Sequence, residues 1–130
     1  VLYAEALARK IQANMTLEMV RDLAKRPHTD PVVTAFGLDH TDSNQHVNSL
    51  VYPRLFAEAA LRRLAERERS RRLLVRALDI AYRKPSFPGD RVRIHTRLFT
   101  LGDQVGAAGF VADVDDPAAR PRCCARILFG

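Results

Sequence analysis

The residues best suited to chemistry stand close together, in the run DSNQHVNSLVYPRLFAE over residues 42–58. Asp42 offers a carboxylate, Asn44 and Asn48 offer amides, and His46 offers an imidazole between them. A carboxylate can attack an electrophilic carbonyl directly or take a proton from an attacking water, and an imidazole can orient it or serve as the base. A helical pattern begins near Asn48, so free backbone N–H groups and a partial positive charge point to the same place, where an oxyanion could develop. Each residue also has a plainer use. A loop Asp commonly closes a turn, and Asn44 and Asn48 suit turn and helix-cap positions. His46 alone suits a structural hydrogen bond, Tyr52 a core position and Glu58 a solvated helix face.

Positioning these groups requires a strand before them and a helix after them, and the hydrophobic pattern supplies both. Residues 2–26 read as an amphipathic helix with Leu7, Ile11, Met15, Met19 and Leu23 at four-residue spacing, closed by Pro27. Residues 28–31 read as a linker and 32–38 as a short strand, followed by a polar, turn-rich stretch over 39–48. A long helix follows, running to about residue 68, with Tyr52, Leu55, Phe56, Ala59, Ala60 and Leu64 on one face. Pro53 falls in its first turns, where a missing N–H is tolerated. Asn48 and Ser49 are the candidate N-caps.

The period then changes from helical to two. Leu74, Leu78, Ile80 and Tyr82 share one parity, interrupted by Arg76. Residues 84–90 (KPSFPGD) form a loop with a Pro-Gly-Asp turn. Over 91–98 the alternation is strict, with Val92, Ile94, Thr96 and Leu98 facing one way and Arg91, Arg93, His95 and Arg97 the other. Further strands are expected over 104–114 and 122–129. Short turns between these strands imply antiparallel neighbours. A long helix with one antiparallel sheet must bury itself against that sheet, an α+β arrangement.

Composition sets bounds on function. The 130 residues fit one domain, with 47% apolar and 28% charged residues, as in ordinary globular proteins. No apolar run approaches the ~20 residues of a membrane span, and Glu5, Arg9 and Lys10 interrupt any signal-peptide pattern. The net charge is +6, and arginines cluster at Arg62, Arg63, Arg67, Arg69, Arg71 and Arg72. Interleaved Glu66 and Glu68 favour a solvated helix end; the sharper reading is a contact with phosphate or an acidic protein through Arg69, Arg71 and Arg72. No aromatic platform accompanies the charge, so no nucleic-acid role is expected. The cysteines, Cys123 and Cys124, are adjacent, face opposite sides of a strand and are expected to be buried and unpaired in a reducing cytoplasm. The four histidines show no metal-ligand spacing with them.

The run Asp42, Asn44, His46, Val47, Asn48, Tyr52 and Glu58 resembles the D-x-N-x-H-V-N-N-x-x-Y signature of the hotdog-fold acyl thioesterases, a group that includes the 4-hydroxybenzoyl-CoA and plant-type acyl-carrier-protein enzymes. The stretch DIAYRKP with Pro88-Gly89-Asp90 is similar to the strand and turn that follow the helix in that family. The resemblance covers roughly residues 32–129, and residues 1–27 fall outside it. It implies a hotdog fold, a long central helix wrapped by an antiparallel β-sheet, over 31–130, with 1–30 as an N-terminal helix and linker. It further implies Asp42 as nucleophile or general base, the Ser49 N–H as oxyanion donor, His46 as orienting group or base, and Asn44 beside them. Asn48, Tyr52 and Glu58 would line the substrate. No cofactor is implied beyond the coenzyme A or phosphopantetheine that carries the acyl group.

The resemblance also has a gap. Plant-type relatives carry a further catalytic acid on the loop after the second long strand, where residues 82–89 here read YRKPSFPG without a carboxylate. Hydratases of the same fold resemble a D-x-N-x-x-H motif, whereas His46 lies four residues after Asp42. The alternatives to thioester hydrolysis are therefore enoyl-thioester hydration or dehydration and a non-catalytic acyl-binding or assembly domain. A homodimer or tetramer is expected, or pairing with another hotdog domain, since the first residue, Val1, points to a fragment or a processed chain.

Overall fold

The computed structural model describes residues 28–66 apart from Asn44, and residues 73–130 apart from Asp103. Strand β3 (Arg91–Leu101) shows why the sheet forms. Val92, Ile94 and Thr96 are buried on one face while Arg91 and Arg97 are exposed on the other, as period-two patterning dictates. A tight turn returns the chain as β4 (Gln104–Asp113), with Leu101 opposite Gln104. Gly102 in that turn has φ 63°, a left-handed backbone that glycine adopts without steric cost.

Strand β5 (Cys123–Phe129) pairs with β4, β2 (Val75–Tyr82) pairs with β5, and β1 (His28–Ala35) pairs with β3, all antiparallel. The sheet order is β1-β3-β4-β5-β2, so β1 and β2 are its edges. Cys123 faces the main core and Cys124 the opposite side, both buried with free thiols. Burial pushes the Cys123 thiol up to about 12, so it holds its proton at neutral pH.

Helix α1 (Val51–Glu66) lies across this sheet and buries Tyr52, Phe56, Ala59, Ala60 and Leu64. Those positions recur at helical spacing, and they meet Val92, Val111, Ile127 and Phe129 in one cluster. Phe56 sits over Gly109, where an added Cβ would lie 3.1 Å from the Phe56 ring and 1.9 Å from the His95 carbonyl oxygen. The missing side chain thus admits both the aromatic ring and close strand pairing. The result is one long helix against a five-stranded antiparallel sheet, the layout implied by the hotdog resemblance. Among the described residues no helix is long and apolar enough to cross a membrane.

Several boundaries differ from expectation for physical reasons. The expected linker over 28–31 is already strand, because His28 and Thr29 pair with Thr96 and His95. A register shift between Thr29 and Val33 accommodates Pro31, which has no N–H to donate and is tolerated on an edge strand. The strand also stops at Ala35, short of the expected end, and residues Leu38–His40 form a 3-10 turn. In β2 a register shift between Val75 and Ala77 explains why Arg76 breaks the parity and leaves Leu74 outside the strand. Helix α1 begins at Val51, later than the periodicity suggests, and is described as far as Glu66. The expected helix over 2–26 lies outside the described residues.

Candidate active site

Residues 41–47 fold back on themselves as a miniature hairpin. Thr41 and Val47 form an isolated antiparallel bridge, the Asp42 N–H donates to the His46 carbonyl at 3.0 Å, and the Gln45 N–H donates to the Asp42 carbonyl at 3.0 Å. These bonds bring Asp42 and His46 to the same end of the bridge, both exposed. Gln45 adopts φ 62°, a left-handed conformation that a tight turn demands and that a side chain resists. Gln45→Gly is therefore expected to raise stability by roughly 0.5–1 kcal/mol, the strain relieved exceeding the extra chain entropy of glycine. A thermal melt should show a midpoint about 2–4 °C higher; a lower midpoint would mean that the Gln45 side chain contributes contacts of its own.

The hairpin is held on two sides. The buried Val47 donates its N–H to the Ser86 carbonyl at 2.9 Å, and the Asn48 N–H donates to the His40 carbonyl at 2.7 Å. The loop bearing Ser86 is fixed in turn by Arg122, 4% exposed, which donates to the Pro85 carbonyl and to Asp113 at 2.6 Å each and lies 3.3 Å from Asp90. Asp90 accepts the Phe87 N–H at 2.9 Å. The carboxylate nearest the loop is thus engaged in holding it, and residues 82–89 contain none.

At the start of α1 the peptide groups have defined directions. The Asn48 carbonyl accepts the Val51 N–H at 3.0 Å, and the Asn48 side-chain oxygen accepts the Leu50 N–H at 2.9 Å. Asn48 therefore closes a side-chain turn ahead of the helix rather than capping it, since α1 begins three residues later. In a trans peptide the N–H points opposite to the preceding carbonyl. With the Asn48 carbonyl directed toward Val51, the Ser49 N–H points away from the body of the helix. That N–H makes no hydrogen bond among the described residues. The Ser49 carbonyl accepts the Tyr82 hydroxyl at 2.8 Å, tying the helix start to strand β2.

Aromatic rings surround this point. Phe36 meets His40 and Tyr52 edge-on at 5.7 and 5.9 Å, Tyr52 meets Tyr82 at 5.9 Å, and His46 meets Phe87 at 5.0 Å. The Tyr52 hydroxyl is buried near Ser86, and neither hydroxyl makes a well-aligned hydrogen bond among the described residues. Burial raises the pKa of both Tyr52 and Tyr82, so both phenols stay protonated at neutral pH.

A cleft of about 260 Å³ opens beside the hairpin, between the 3-10 turn and the first turn of α1, lined by Asp39, His40, Thr41, Asn48, Val51 and Arg54, with Leu50 also contributing. Neither Asp42 nor Ser49 lines it. The structure thus brings Asp42, His46, Asn48, Ser49 and Tyr52 to one end of the molecule. Glu58 lies farther along α1, exposed and within electrostatic reach of Arg62. Asn44, Arg69, Arg71 and Arg72 lie outside the described residues. Of the arginine cluster, Arg62 pairs with Asp30 and Arg63 with Glu66. His40, Arg54, Tyr82 and Phe87 are the residues of this region that sequence reasoning missed. Among the described residues no three His, Cys, Asp or Glu side chains are grouped to hold a metal ion.

The fold, one long helix laid on a five-stranded antiparallel sheet, defines an α+β class, and comparison with known proteins gives the family within it. Residues 36–126 match the model of the thioesterase-like superfamily, and the chain belongs to that family. Among solved structures it is similar to a probable thioesterase from Bartonella henselae, with TM-score 0.64 and 17% identity, covering 80% of this chain and 88% of that one. It is similar also to a 1,4-dihydroxy-2-naphthoyl-CoA thioesterase from Synechocystis, with TM-score 0.66, 13% identity and coverage of 78% and 80%. A third is a thioesterase from Thermus thermophilus complexed with coenzyme A and zinc, with TM-score 0.63, 18% identity and 75% coverage of each chain. At these identities the likeness is one of fold. No curated protein matches the sequence.

Proposed function

We propose that the protein hydrolyses an acyl thioester carried on coenzyme A, with Asp42 as nucleophile or general base and the Ser49 N–H as oxyanion donor. The observation that carries this reading is an outward-pointing, unengaged Ser49 N–H at the start of α1, beside a hairpin that holds Asp42 and His46 together. In the reaction the C–S bond breaks, the thiol leaves and water supplies the new C–O bond, either directly or by opening an anhydride formed with Asp42. A thiol of pKa roughly 8.5 departs as thiolate without much help, so one carboxylate with an oxyanion donor suffices. His46, held edge-on against Phe87, orients Asp42 or the attacking water. Cys123, held protonated by burial, is no competing nucleophile. The coenzyme A bound to the Thermus thermophilus structure supports the coenzyme over a carrier protein.

Thiol release from acyl-CoAs of graded chain length tests the reading. Release well above the uncatalysed rate is expected; none across the series would leave an acyl-binding or assembly domain. The exposed edge strand β2, with Val75 at 51% and Tyr82 at 49% exposure, supports a homodimer or tetramer, because an unpaired edge is a template for another strand. Light scattering should give an even multiple of 14.6 kDa at micromolar concentration, and a stable monomer would exclude this assembly.

A further inference from the structure

The cleft beside the hairpin is rich in hydrogen-bond donors. His40 Nδ1 accepts the Gly37 N–H at 3.0 Å, while Asp39 Oδ1 stands farther away, at 3.5 Å. With Nδ1 occupied as acceptor, a neutral His40 carries its proton on Nε2, which becomes a donor. The Asn48 side-chain oxygen likewise accepts the Leu50 N–H, and the NH₂ group of Asn48 supplies two donors. Arg54 is exposed, and no ion pair or hydrogen bond engages its guanidinium among the described residues. The Thr41 hydroxyl donates to the Leu38 carbonyl at 2.8 Å. The one acid in the lining, Asp39, has its side chain 81% exposed, where water screens it. Three donors from three different segments therefore line one cleft, and two of them, His40 and Asn48, already have an acceptor atom engaged by a backbone N–H.

We propose that this cleft binds an oxyanion carried on the acyl group, so that the preferred substrates are thioesters of acids bearing a second carboxylate. The proposal rests on the hydrolysis reading above and names its substrate class. A guanidinium grips a carboxylate through two parallel charge-assisted hydrogen bonds, and the His40 and Asn48 donors suit its remaining lone pairs. Placement favours the acyl side over the coenzyme phosphates. Arg54 lies about one helical turn beyond Leu50, which puts the cleft within roughly 10 Å of the Ser49 N–H. A second carboxylate is a few carbons from the thioester carbonyl, whereas the phosphates sit at the far end of the pantetheine arm. Leu50, 76% exposed, and Val51 supply an apolar stretch for the intervening methylenes.

The test compares kcat/KM for glutaryl-CoA with valeryl-CoA, and adipyl-CoA with hexanoyl-CoA, after subtraction of spontaneous hydrolysis. The wild-type protein is expected to favour the dicarboxylic member of each pair, and Arg54→Ala to lower that preference at least tenfold, mainly through KM, as loss of a charge-assisted hydrogen bond implies. Arg54→Lys should restore part of the preference, because it keeps the charge and loses the fork. Valeryl-pantetheine separates the two anion sources. If Arg54→Ala raises KM for glutaryl-CoA and valeryl-CoA alike but leaves valeryl-pantetheine untouched, the cleft holds a coenzyme phosphate and the dicarboxylic reading is overturned. Equal preference in wild type and Arg54→Ala overturns it as well. Should the wild type hydrolyse none of these thioesters, the hydrolysis reading fails by itself. Calorimetric Kd values for glutaryl-CoA and valeryl-CoA with wild type and Arg54→Ala then decide the cleft independently: a glutaryl preference lost in the variant supports the proposal, and none overturns it.

Discussion

The variant Asp42→Asn is expected to hydrolyse its thioester at least ~10²-fold more slowly than the wild-type protein, the low end of what a positioned acid–base group supplies. Asparagine matches the size and shape of the side chain and removes its charge and basicity. The bonds that define the hairpin, from the Asp42 N–H to His46 and from the Gln45 N–H to the Asp42 carbonyl, are backbone bonds and survive the change. The Ser49 N–H and the cleft around Arg54 are untouched. The loss should therefore fall on kcat, with KM nearly constant, the pattern of an interaction made only in the transition state. His46→Ala serves as the companion variant. It should cost less than Asp42→Asn if the ring only orients the carboxylate, and as much if the imidazole is the base. Steady-state thiol release, with circular dichroism to establish folding, reads all three proteins. A folded Asp42→Asn protein working at the wild-type rate would reduce the signature to a structural turn.

What was legible in the sequence follows from how local each cause is. Strand β3 could be read because one face is buried, so Val92, Ile94 and Thr96 had to alternate with Arg91, Arg93, His95 and Arg97. The buried face of α1 was legible for the same reason, through helical spacing. Strand β1 was misplaced because His28, Thr29, Asp30 and Pro31 have the polarity of a linker. Their place in the sheet depends on partners distant in sequence, Asp30 on Arg62 and Thr29 on His95, which no local pattern records. The hairpin motif over 42–48 was visible as a signature because its residues are contiguous. Its surroundings were not, since Tyr82 reaches Ser49 across 33 positions and Arg122 reaches Pro85 across 37. The Asn48 cap failed for a subtler reason: asparagine closes turns as readily as it caps helices, and backbone geometry decides between them.

The Asp30–Arg62 pair leads to the second large effect, one of stability. Asp30 is 2% exposed and accepts two hydrogen bonds from Arg62, at 3.0 and 2.7 Å, joining edge strand β1 to the C-terminal half of α1. It also accepts the Val32 N–H at 3.2 Å. The partners are unequal, because the Arg62 side chain is 38% exposed and can be hydrated on its own. Arg62→Ala leaves a buried carboxylate without a counter-charge and should cost about 3–4 kcal/mol, whereas Asp30→Asn should cost about 1–2 kcal/mol because the guanidinium turns to water. Combining Asp30→Asn with Arg62→Met removes both charges and keeps apolar contact along the helix. The double variant should then be more stable than Arg62→Ala alone, as replacement of a buried ion pair differs from breaking one. Urea unfolding measures the three values. Because β1 runs on through Phe36 into the turn that carries His40, Arg62→Ala should also loosen the cleft, visible as faster amide exchange at Phe36 and His40 before global unfolding. An Arg62→Ala protein within 1 kcal/mol of wild type would show that this pair contributes little to holding the edge of the sheet on the helix.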